Sequence, residues 1–250
     1  MSDRRSLLIA LACVLPAWAA AASTPAPMSA TRAQAMNAEA KAENQLIAQV
    51  NAAMAAKDWA KAESSLQQLV KMAPEHWQYL KSLADAEFGE GKYEEAVKSY
   101  AAALVKAEKE KLSPAIKEAL AAMYTNQGNA YLKQKQTDKA IAAYEKAAAI
   151  DPHPATAYFN ICATMYNAGN ADGALKACDQ ALAADPNKAD AWFIKGSLLM
   201  GNSSVDAKGK TAAPPGTVEA LQKYLQLAPT GPHADDVKQM LDYLGVKPGG

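Results

Sequence analysis

Residues 123–152, "MYTNQGNAYLKQKQTDKAIAAYEKAAAIDP", hold two blocks at helical spacing. The first runs through Tyr124, Gln127 and Tyr131, the second through Ile141, Tyr144 and Ala148. Steps of three and four residues place each block on one face of a helix, so the stretch predicts a helix–turn–helix hairpin. Residues 157–186, "AYFNICATMYNAGNADGALKACDQALAADP", repeat the layout 34 residues later. Two registers extend it along the chain. A small residue early in each second helix falls at Ala62, Ala96, Ala140, Ala174 and Thr217, with steps of 34, 44, 34 and 43. A slot on each first helix falls at Val50, Ala84, Gly128, Cys162 and Gly196, with steps of 34, 44, 34 and 34. One hairpin cannot bury its apolar face alone, so such units must stack.

Tyr124, Gly128, Tyr131, Ala140, Tyr144 and Pro152 follow the W-x2-L-G-x2-Y…A-x3-F…P order of a known repeat. On those residues the chain resembles a tetratricopeptide repeat protein over about residues 43–229. The resemblance implies an all-α fold, a right-handed α-solenoid closed by a C-terminal capping helix. Repeats are expected at about 43–76, 77–110, 121–154, 155–188 and 189–229, with the cap at 232–244. The array is read as one domain over 31–245, its first helix beginning upstream of the first repeat. Proline after each second helix, as in "AAIDPHPAT", stops one helix and tolerates the start of the next.

Two insertions break the period. The first adds 10 residues between Ala103 and Ala121, where Ser113 followed by Pro114 reads as an N-cap and first-turn proline. Longer helices are expected on both sides of Leu112. The second adds 9 residues within the fifth repeat, over about 201–216. Its turn-rich "VDAKGKTA" reads equally as a short β-hairpin or an irregular loop.

The N-terminus stands outside this pattern. Arg4 and Arg5 precede an apolar run from Leu7 to Leu15, then small residues suited to cleavage. That order predicts a signal peptide over 1–22 and a Pro/Ser/Ala linker over 23–30. Lipidation at Cys13 is the disfavoured alternative, because Ala10 stands where a lipobox has Leu. The apolar run is too short to span a bilayer, and no later segment is apolar enough. Localisation is therefore expected to be periplasmic or exported. The chain of 250 residues has 26 basic and 26 acidic side chains, so no charge excess points to nucleic acid.

Catalytic and metal chemistry find no pattern. His76, His153 and His233 each lie near a proline between or after helices, without a second ligand at helical spacing, and read as surface-loop residues. There is no G-x-S-x-G, no H-E-x-x-H and no phosphate-cradling glycine loop. No enzyme, metal or cofactor is expected.

The resemblance implies a groove lined by the first helices, suited to a protein or peptide partner. Residues expected on it are Lys81, Phe88, Asn126, Asn129, Phe159, Asn160, Tyr166 and Phe193. All three phenylalanines of the chain fall there, beside amides that can bond a partner's backbone. The family's carboxylate clamp is not matched. Asp85, Thr156 and Asn160 fill slots that it gives to Asn, Lys and Arg.

Cys162 and Cys178 fall in packing slots of one hairpin. They read as a disulfide or as two reduced core thiols, with one turn of helical offset making a bridge marginal. The expected function is an exported binding scaffold or adaptor in the cell envelope. The alternative is a periplasmic chaperone or assembly factor for a secretion, pilus or cell-wall machine.

Overall fold

The computed structural model describes residues 30–205 and 211–247. The expected signal peptide, Cys13 and residues 23–29 of the linker lie outside the described residues. The chain divides into two compact units, Met1–Ala42 and Glu43–Gly250. In the first, residues 30–42 form the start of helix α1 (Ala30–Ala55). The helix does begin upstream of the first repeat, as expected. The compact unit that carries the repeats opens at Glu43 rather than residue 31. Most described side chains over 31–41 are exposed, so they supply little core.

From Glu43 onward the chain is a solenoid of helical hairpins. The end of α1 pairs with α2 (Trp59–Met72), and α3 (Trp77–Glu90) with α4 (Tyr93–Ala107). Then α5 (Pro114–Lys133) pairs with α6 (Thr137–Ile150), and α7 (Ala155–Asn167) with α8 (Ala171–Ala184). The fifth hairpin is α9 (Ala189–Gly201) with α10 (Thr217–Leu227), and α11 (Ala234–Tyr243) caps the array. Each second helix packs on the next hairpin's first helix, so successive hairpins share buried surface.

The turn inside each hairpin repeats as faithfully as the helices. Backbone φ is positive at Lys57, Gly91, Lys135 and Gly169, with the same steps of 34, 44 and 34. Glycine adopts that conformation without strain, whereas the two lysines hold it against a steric cost. Asp58 and Asn170, one residue later, accept from the backbone N–H of Lys61 and Gly173 and so cap α2 and α8.

Within each hairpin the contact at the helix crossing sets the spacing. A methyl group added to Gly128 would stand 2.5 Å from the Tyr144 ring, and one added to Gly196 would stand 2.7 Å from Leu221. Tyr100, Tyr144 and Leu221 are fully buried, each in the second-helix slot opposite Ala84, Gly128 and Gly196. The tyrosine hydroxyls reach the other side of the first helix. Tyr100 donates to Asp85, and Tyr144 donates to Asn129 at 2.7 Å.

The first insertion lengthens only one helix. The α5 helix has 20 residues, while α4 has 15, one more than α2. Ser113 caps α5 by accepting from the Ile116 N–H at 3.2 Å, with Pro114 as the first helical residue. The remaining residues form a connector over 108–113, held from both sides. Trp77 Nε1 donates to Glu110 and Tyr124 to Glu108, each at 2.6 Å. Burial, and then Glu108, pushes the Tyr124 hydroxyl up to about 12, so it remains a donor at neutral pH. A side chain thus anchors the connector at each Glu, and α4 has no need to extend. The second insertion carries two short antiparallel strands, β1 (Ser204–Val205) and β2 (Thr211–Ala212), with Ser204 opposite Ala212.

Between the first two hairpins lies a buried carboxylate. Glu87 is 6% exposed, and its Oε2 has no hydrogen-bond partner. Burial raises its pKa. Glu63 and Glu95 raise it further, and Ser99 and Lys92 oppose the rise. Lys92 is largely engaged elsewhere, bonding Glu63 at 2.6 Å and Glu90 at 2.8 Å.

Three outcomes are expected in thermal unfolding. Gly128→Ala should cost about 1–3 kcal/mol, because the Tyr144 ring has no room to yield. Gly201→Ala meets nothing and should be neutral or slightly stabilising. Glu87→Gln should raise the melting temperature at neutral pH, because burial penalises the charged form of the carboxylate. Because the folded pKa is raised, that penalty is relieved as pH falls through it and is gone below the unfolded value. The gain from Glu87→Gln should shrink accordingly between neutral and acid pH.

Candidate partner-binding face

The first helices of neighbouring hairpins touch, α3 against α5 and α7 against α9. Their sequence register gives them a common face. The residues expected there divide into two groups.

Towards α3 the polar groups satisfy one another. Asp85 is the centre: Lys81 Nζ bonds its Oδ2 at 2.7 Å, while Tyr100 and Asn126 Nδ2 donate to its Oδ1, the latter at 3.4 Å. The carboxylate raises the Tyr100 pKa, second only to burial, which locks that hydroxyl as a donor. Lys81 and Asn126 are the two residues that matched the clamp pattern. The chain's own Asp85 occupies both, which gives the clamp's mismatch a physical form. Asn129 is committed as well, since its Oδ1 accepts from Tyr144. Phe88 packs on the core of the second hairpin and meets the Tyr93 ring edge-on at 5.3 Å.

Towards α7 the face is less occupied. Phe159 and Asn160 are half-buried and Tyr166 is exposed. Asn160 makes no side-chain hydrogen bond within the described residues. Lys188 Nζ lies 5.5 Å from the Phe159 ring centroid and donates to Thr156 at 3.1 Å. Leu132 and Ala163 join Phe159 around the same core cluster, giving an apolar strip from α5 to α7.

Phe193 departs from its expected role. Its ring stacks on His233 with centroids 3.8 Å apart and planes 2° from parallel, and it also meets Tyr224. The fifth hairpin and the residues before α11 cover it, so Phe193 fastens the C-terminal cap. His233, expected in a surface loop, lies just before α11 with 38% of its side chain exposed, and it adds this ring contact. Its backbone N–H also donates to the Tyr224 hydroxyl at 2.9 Å. Spacing could not reveal this pairing, because it joins two segments across an insertion. His153 is exposed, and His76 precedes α3 with its ring tilted against Tyr79.

A cleft of about 640 Å³ opens beside the face, between α5, the α6–α7 connection and the start of α7. Pro114 and Glu118 form one wall, both on the turns that the first insertion adds to α5. The register pointed to Asn126 but not to this wall, which lies outside the repeat pattern. Among the described residues no cluster of His, Cys, Asp or Glu could hold a metal ion. No described helix is long and apolar enough to cross a membrane.

Behind the face, Cys162 of α7 and Cys178 of α8 form a disulfide with Cα atoms 5.0 Å apart. Both residues are fully buried. The expected one-turn offset does not arise. The two slots face each other directly, as Gly128 and Tyr144 do one repeat earlier. The bridge replaces that ring-on-glycine contact.

Two family models described as tetratricopeptide repeat match residues 47–111 and 131–198, together just over half of the chain. No curated protein matches the sequence. Among solved structures, a MamA protein aligns with a TM-score of 0.60 at 18% identity, covering 76% of this chain and 93% of that one. A tetratricopeptide repeat protein from Parabacteroides merdae gives 0.61 at 18%, covering 81% and 75%. YrrB, described as a TPR protein with an unusual peptide-binding site, gives 0.56 at 16%, covering 76% and 88%. At these identities the likeness is one of fold.

Removing the bridge with Cys162→Ala and Cys178→Ala should cost about 3 kcal/mol, the closure entropy of a loop this length. Rebuilding the neighbouring pattern, with Cys162→Gly, Cys178→Tyr and Ala163→Asn, should recover part of that loss without sulfur. Thermal melts of the three proteins check both statements.

Proposed function

We propose that this chain, a member of the tetratricopeptide repeat family, is a binding scaffold that holds an extended protein or peptide segment on its first-helix face. One observation carries the reading. On α7, Phe159, Asn160 and Tyr166 stand half-buried or exposed, and the Asn160 amide is left unbonded within the described residues. A ring that offers area beside an amide that offers a donor and an acceptor suits an extended backbone. YrrB's described peptide-binding site makes a peptide the first ligand class to try here.

We place the scaffold in the periplasm of a bacterial envelope. The charged and apolar order of the N-terminus supports export. A disulfide supports it too, because such bonds persist where the compartment is oxidising.

The test uses the chain from residue 23 onward as bait, with partners recovered by photo-cross-linking from positions on α7. Phe159→Ala with Tyr166→Ala should weaken partner recovery more than tenfold while leaving the melting temperature within a few degrees. Undiminished recovery would move the interface off this face. One stoichiometric partner supports the scaffold, whereas many weakly held unfolded proteins would replace it with a chaperone role.

A further inference from the structure

The cleft beside the face has a chemical character of its own. Most of its lining is apolar, with Pro114, Ala122 and Pro152 and the methyl group of Thr125. Two carboxylates, Glu118 and Asp151, line it, together with His153, Thr125 and Thr156, whose side chains can donate as well as accept. Glu118 is exposed and pairs with no cation among the described residues. Asp151 uses Oδ1 to accept the His153 N–H at 2.8 Å, which leaves Oδ2 unused. Asn126 spends one amide N–H on Asp85 and keeps the other N–H and its carbonyl oxygen. No lysine or arginine lines the cleft. Lys188, which touches its edge through Thr156, is already engaged there and at the Phe159 ring.

We propose that this cleft receives the cationic side chain, Arg or Lys, of the partner's extended segment. The inference rests on the reading of the first-helix face as the partner surface. Apolar walls suit the methylene stem of such a side chain, and acceptors suit its charged head. Arginine is the better fit, since its guanidinium presents a fork of donors to two separate carboxylates. An acidic or neutral polar segment would leave Glu118 and Asp151 without a counter-charge. The insertion supplies the wall that bears Pro114 and Glu118. The α3, α7 and α9 helices have 14, 13 and 13 residues and lack the turns that bear Pro114 and Glu118.

The test is a titration of the isotope-labelled chain, residues 23–250, followed by amide NMR shifts. Three probes are used: the acetyl-methylamides of arginine, norleucine and phenylalanine. The arginine probe should shift amides over 117–126 and 151–156 and bind at least threefold more tightly than norleucine. Glu118→Gln with Asp151→Asn, which keeps the oxygen that caps His153, should abolish that preference and leave the phenylalanine response intact. Equal binding of arginine and norleucine, or arginine shifts centred elsewhere, overturns the proposal. If phenylalanine still maps to Phe159 and Tyr166, only this inference fails. If neither probe maps to its place, the reading of the face fails with it.

Discussion

One contact governs the solenoid from its second hairpin onward: a small residue on the first helix against the side chain opposite it on the second. Gly128 under Tyr144 and Gly196 under Leu221 leave no room for even a methyl group. The contact fixes how closely two helices approach, and so how much of each hairpin's apolar face remains for the next. Its variants are instructive. Where a tyrosine fills the large slot, its hydroxyl must find an acceptor, and Asp85 and Asn129 supply one on the outward side of the first helix. Where the slots hold two cysteines, a covalent bond replaces the ring and no acceptor is needed; Ala163 stands in that place.

That coupling decides which part of the outward face is left for a partner. Asp85 and Asn129 look like recognition groups in sequence, yet both are spent on buried tyrosines. Asp85 then draws in Lys81 and Asn126. A partner approaching α3 would have to displace bonds the fold already makes. On α7 the disulfide removes that demand, and Asn160 and Tyr166 are not recruited to the core.

Legibility in the sequence followed the same physics. The hairpins, their order and the Ser113 cap could be read because small residues, prolines and caps recur at fixed steps. The slots of Cys162 and Cys178 were legible, but their mutual approach was not. The expected offset set the two a helical turn apart, whereas the packing of α7 on α8 brings the two slots face to face. The residues expected on the face lie on the first helices of their hairpins, but spacing says nothing of what else reaches them. Phe193 shows the limit most clearly. Its ring lies where a groove residue should, and His233 arrives from 40 residues away to cover it. The added turns of α5 lie outside the period, so register gave no reason to expect Glu118 beside Asp151.

The position of the disulfide bears on binding as well as on stability. A helix that leaves Asn160 and Tyr166 out of the core clusters gives up those side chains as core. What α7 buries on its own account is modest: Ala155, Ala157, Ile161, Cys162 and Thr164. In an array whose units are held only by their neighbours, such a helix depends on its partner α8. The bridge from Cys162 to α8 ties it at its midpoint, between Asn160 and Tyr166 in sequence. Loss of motion on binding is a cost to any recognition surface, and a face already fixed incurs less of it. The covalent contact therefore stands under the part of the surface where the fold leaves the most polar and aromatic groups unspent.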